Sequence, residues 1–65
     1  MPSYYTIDMW ANSKYHRFYY YEKSQRVEQS GGTKIGTASS LKSALALMET
    51  KVPGKVIETK IKEPS

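Results

Sequence analysis

The sequence predicts an α+β domain, a small antiparallel sheet of three to four strands with one helix on one face, in the order β-β-β-α-β. Three observations carry the prediction. Two runs at the start alternate polar with apolar residues and are rich in aromatic and β-branched side chains, which suits strands half-buried on a pleated sheet. Later, Leu41, Ala44, Leu45 and Met48 fall at i, i+3, i+4 and i+7, the spacing of one apolar stripe on a helix. A Pro-Gly pair then closes the helix, and a last alternating run follows.

Tyr4–Ala11 (YYTIDMWA) reads as the first strand and Lys14–Glu22 (KYHRFYYYE) as the second. Asn12-Ser13 between them is a turn signal, so the pair reads as a β-hairpin. A third strand is expected within Arg26–Thr37, where Ser30-Gly31-Gly32 is either a glycine bulge in that strand or a loop tip. Ser39 or Ser40 supplies a helix N-cap, a side-chain oxygen that accepts a free N–H of the first turn. The helix is expected within Ser39–Val52 and ends at Pro53-Gly54. Lys55–Lys62 (KVIETKIK) reads as the final strand, and residues 62–65 as a frayed tail.

At 65 residues the chain, 1–65, reads as one binding domain with one small core. It has no cysteine, which removes disulfides, thiolate metal sites and cysteine nucleophiles together. The longest apolar stretch, Ala44–Met48, falls far short of the ~20 residues that span a bilayer. Met1-Pro2-Ser3 is not followed by an apolar run, so neither a membrane nor a secretory signal is expected and the anticipated location is cytoplasmic. The net charge of +4 fits ordinary solubility and equally fits attraction to a polyanion.

Aromatic residues make up 12% of the chain and most lie in the first two strands, so their placement is the informative feature. A period of two turns Tyr5, Ile7, Met9 and Ala11, then Phe18 and Tyr20, toward the helix, with His16 at the edge and Ile35, Ile57 and Ile61 completing the floor. The same period sends Tyr4, Thr6, Asp8, Trp10, Tyr15, Arg17, Tyr19 and Tyr21 to the other face, which nothing in the chain covers. An exposed aromatic surface usually marks an interaction site. Cross-strand aromatic pairs also stabilise a sheet in their own right, and the opposite register would exchange the two faces. The residues expected to bind are Trp10, Tyr15, Arg17, Tyr19, Tyr21, Arg26 and Lys34, since aromatics among cations suit base stacking with backbone neutralisation.

No catalytic residue, metal ligand set or cofactor motif is found. His16 is the single histidine and could recruit only carboxylates to a metal. Ser39-Ser40-Leu41-Lys42 contains a Ser-x-x-Lys spacing, which helix capping explains. Gly31-Gly32 lacks the Gly-Lys-Ser/Thr that makes a phosphate loop. A non-enzymatic function is therefore expected.

The segment Arg17-Phe18-Tyr19-Tyr20-Tyr21, Lys23-Ser24-Gln25-Arg26, Gly31–Thr37 and Ser39–Thr50 resembles the arm-binding, AP2-like N-terminal DNA-binding domain of tyrosine integrases, over about half the chain. That resemblance implies a three-stranded sheet docked into a DNA major groove. The chain departs from it in the strand after the helix and in a less basic third strand. In size and element order it is also similar to small phage-encoded inhibitors, some anti-CRISPR proteins among them, which bind a host protein. Nucleic-acid binding, inhibition of a host protein and homodimer formation are thus the three expectations, and Tyr, Trp and Arg serve protein interfaces as well as nucleic acids.

Overall fold

The computed structural model describes residues 3–64. Its elements are β1 (Tyr5–Ala11), β2 (Lys14–Tyr21), β3 (Arg26–Gln29), β4 (Thr33–Thr37), α1 (Leu41–Glu49) and β5 (Glu58–Lys62). All pairings are antiparallel and the spatial order is β4-β3-β2-β1-β5. The fold is α+β as expected, with five strands where the sequence suggested three to four. The region Arg26–Thr37 is a hairpin and not one strand. Gly31 and Gly32 adopt φ of 103° and 87°, which L side chains rarely reach, and the Gly32 N–H closes the turn on the Gln29 carbonyl at 3.1 Å. A register shift between Val27 and Glu28 adds a bulge as well, placing Ile35 as the extra residue of β4.

The first hairpin is set by its turn. Asn12 and Ser13 both have positive φ, 53° and 64°, the requirement of a two-residue type I′ connection whose twist matches the strands. That loop pairs Ala11 with Lys14 and so fixes every pair up to Tyr5 with Tyr20. The Asn12 side chain also donates to the Pro53 carbonyl at 3.3 Å, tying the hairpin tip to the turn after the helix. Gly54 has φ of 87° there, and a Cβ on it would collide with the Asn12 amide.

Helix α1 rests mainly on β2 and β4. Ser40 caps it, its side chain accepting the Ser43 N–H at 3.2 Å. Ala44 and Met48 are fully buried against Ile7, Met9, Phe18, Tyr20 and Val27, while Leu41 and Leu45 sit half-buried at the margin. Tyr20 is also fully buried, and its hydroxyl donates to the Ala38 carbonyl at 2.9 Å. Burial raises the pKa of that phenol above the usual tyrosine value.

The far end of the floor departs from expectation. Ile57 is 74% exposed and Ile61 43% exposed. The helix rests mainly on β2 and β4, so Ile61 on the edge strand β5 stands beyond its reach, and Ile57 precedes that strand, which begins at Glu58 and not at Lys55. Val52 and Val56, between the helix and β5, pack on the core instead. Lys62 belongs to β5 and pairs with Thr6, so the expected tail shortens to Glu63 and Pro64; Ser65, Met1 and Pro2 lie outside the described residues. Among the described residues no helix is long and apolar enough to cross a membrane.

Candidate interaction face

The face of the sheet opposite α1 carries the alternate residues of all five strands. In the central hairpin its pairs are Thr6 with Tyr19, Asp8 with Arg17 and Trp10 with Tyr15. The Trp10 carbonyl accepts from Ile57 at 2.8 Å and the Arg17 carbonyl from Ser30 at 2.9 Å, so both backbones point outward from the hairpin. These pairs are therefore the non-hydrogen-bonded ones of the ladder, in which opposing side chains approach most closely.

That closeness produces two aromatic clusters with an ion pair between them. Tyr4 meets Tyr19 edge-on at 5.5 Å between centroids and tilts against Tyr21 at 5.2 Å. At the other end Trp10 lies 5.9 Å from Tyr15. The Lys60 ammonium sits 5.5 Å from the Trp10 ring, and the Arg17 guanidinium 5.9 Å from the Tyr15 ring, both within cation–π range. Between the clusters Arg17 grips Asp8 through two hydrogen bonds, 2.8 and 3.2 Å. The hydrogen bond and charge of Asp8 hold the guanidinium protonated even beyond its usual range.

All the residues expected to bind fall on this face or its continuation. Tyr15 is the most open at 58% exposed, while Trp10, Tyr19 and Tyr21 are half-buried against their neighbours. Arg26 pairs with Tyr21 across β3, and Lys34 lies opposite Glu28 on β4. Arg26 is ion-paired to Glu28 two residues along the same strand. Lys34 is exposed and makes no ion pair among the described residues. Burial, and next the charge of Glu28, raise the Tyr21 phenol above the usual tyrosine value.

Two cations of the face lie outside the seven residues expected to bind. Lys60 and Lys62 on β5 lie opposite Asp8 and Thr6 and extend the basic surface to the far edge. The alternation of KVIETKIK already separated them from Ile61, which was the available signal. Arg17, Arg26, Lys34, Lys60 and Lys62 outnumber Asp8, Glu28 and Glu58 on this surface. Among the described residues no group of three His, Cys, Asp or Glu is placed to hold a metal ion. No protein family, curated protein or solved structure matches the chain.

Proposed function

We propose that the chain is a nucleic-acid-binding module that works through the open sheet face. One observation carries the reading: Tyr, Trp, Lys and Arg share a single uncovered surface, with Lys60 against Trp10 and Arg17 against Tyr15. Lys34, Lys60, Lys62 and Arg26 neutralise phosphates, and Tyr15, Tyr19, Tyr21 and Trp10 offer π-faces to bases. The sequence resemblance of Arg17–Thr50 to the integrase arm-binding domain would make DNA the ligand.

A second reading, an inhibitor or adaptor seated on a host protein, is favoured by the ion pairs of Arg17 and Arg26, which leave less free charge for phosphate. A homodimer closed through the same face is the third. Fluorescence anisotropy with labelled oligonucleotides separates them. For nucleic-acid binding through about three to five phosphate contacts, raising salt from about 50 to 200 mM should weaken affinity roughly 20- to 500-fold. Trp10→Ala or Tyr19→Ala should each cost about 5- to 150-fold without flattening the salt slope, because stacking releases no counterions. Absence of binding at micromolar protein in low salt would leave the protein-partner reading in its place, and concentration-dependent sedimentation would support the dimer.

A further inference from the structure

Strand β2 is longer than its neighbour β3. The pairing of β3 with β2 begins at Phe18 opposite Gln29, so Lys14–His16 has β1 on one side and no strand on the other among the described residues. The Ser30 N–H reaches the Arg17 carbonyl at 2.9 Å, and the chain then turns away through Gly31 and Gly32. A notch in the sheet results. Tyr15, His16, Arg17, Tyr19, Gln29 and Ser30 line it as a half-open cleft of about 270 Å³.

The ladder decides what points into the notch. Arg17 directs its carbonyl toward Ser30, and Trp10, opposite Tyr15, directs its own toward Ile57. By the alternation of an antiparallel pair, the N–H and C=O of Tyr15 both point away from β1, into the notch. They form an adjacent donor and acceptor in extended backbone, at the side of the most exposed aromatic ring of the face.

We propose that this notch takes one unpaired base of a single-stranded nucleic acid. The proposal rests on the nucleic-acid reading above and adds the strandedness of the ligand and the place where base identity is read. The base stacks beside Tyr15 and meets the Tyr15 backbone with its hydrogen-bonding edge, while Gln29 and Ser30 supply further polar contacts and Arg17 a cation above. Duplex DNA keeps the Watson–Crick edge engaged in pairing, so only a single strand, or a flipped base, presents that edge. An added β-strand from a protein partner fits less well, because the stretch offers only the N–H and C=O of Tyr15 and the N–H of Arg17 before Ser30 closes it on the Arg17 carbonyl.

The test uses single-stranded homopolymers of the four bases and a duplex, titrated against the full chain. The expected result is single-strand binding with one homopolymer favoured about tenfold, the scale of one good bidentate base contact. Ser30→Phe, at an exposed loop position, fills the cleft and should abolish the preference while leaving the salt slope unchanged. Gln29→Ala should reduce it, with circular dichroism confirming the fold of both variants. Equal affinity for all four homopolymers, tighter binding to duplex, or a preference that survives Ser30→Phe would each overturn the notch while leaving the face as a nucleic-acid surface. No binding to any oligonucleotide would sink both.

Discussion

The β1–β2 hairpin has two faces made from alternate residues of the same strands, and they are stabilised by different means. Toward α1, Ile7, Met9, Phe18 and Tyr20 are wholly removed from water, and no buried side-chain polar atom among the described residues lacks a partner. Toward solvent, Tyr4, Trp10, Tyr15 and Tyr19 hold one another in place by ring contacts and stay partly exposed. The covered face needs volume and apolarity. The open face needs only cross-strand partners, worth about 0.2–1 kcal/mol each. One face is therefore committed to folding, and the other holds large aromatic groups ordered at little cost to the fold.

The largest expected effect breaks the fold on one face only. Met48→Asp places a charge where no water reaches, and the cost exceeds the roughly 3–10 kcal/mol that a chain of this size has in total. The variant should be unfolded by circular dichroism at room temperature. Tyr15→Asp, on the open face, should remain folded with a cooperative melt. A folded Met48→Asp protein would show that α1 does not cover the core. Leu45→Asp should be milder than Met48→Asp, since Leu45 is only half-buried. The sequence stripe treated the two as equals because helical spacing gives the direction of a side chain and not the depth at which it sits.

A smaller effect sharpens the contrast through pH. Tyr20→Phe removes the hydroxyl that donates to the Ala38 carbonyl and should cost about 1–3 kcal/mol near neutral pH by leaving that buried acceptor unmet. The folded chain holds the Tyr20 proton above the ordinary tyrosine pKa of about 10. Its contribution is therefore fully present below that value and is lost as pH rises through the raised folded value, because the unfolded chain gives up the proton first. Melting temperatures should fall on the alkaline side in the wild type, and less steeply in Tyr20→Phe. The slope retained by the variant comes in part from Tyr21, also raised.

The parts of the molecule legible in the sequence are those with long periodic runs. The first hairpin was the most legible: seven- and eight-residue strands joined by Asn12-Ser13 fix the pairing, while the sequence left open which of the two faces the helix covers. It also implied that Asp8 stands opposite Arg17, a pairing that sequence reasoning passed over while counting Arg17 as a free cation. The second hairpin could not be read as well. Strands of four and five residues are too short for a period of two to be distinguished from a bulged single strand, and this one contains both a glycine turn and a bulge. The exposure of Ile57 and Ile61 was hidden for another reason. Alternation says which face a residue takes, but Ile57 precedes β5, and Ile61 lies on that edge strand, away from β2 and β4 on which α1 rests.

The smallest effect concerns the ion pair that divides the open face. Asp8 is 18% exposed and Arg17 43%, and the carboxylate accepts side-on from Nε and Nη2 of the guanidinium. Asp8→Asn keeps the shape and one acceptor but removes the charge. Stability should change little, because a pair this close to solvent is screened. Binding should change more. If Arg17 turns to a phosphate once released, affinity for an oligonucleotide at low salt rises and the log–log salt slope steepens by about 0.7–0.9. If a protein partner is the ligand, the same variant loses an ordered ion pair at the centre of its interface, and affinity falls with no such change of slope. A salt slope identical to wild type in a variant that still binds oligonucleotides would mean that Arg17 reaches no phosphate. The salt-sensitive contacts would then belong to Arg26, Lys34, Lys60 and Lys62, and Arg17 would serve the face by fixing Tyr15 and the mouth of the notch beside it.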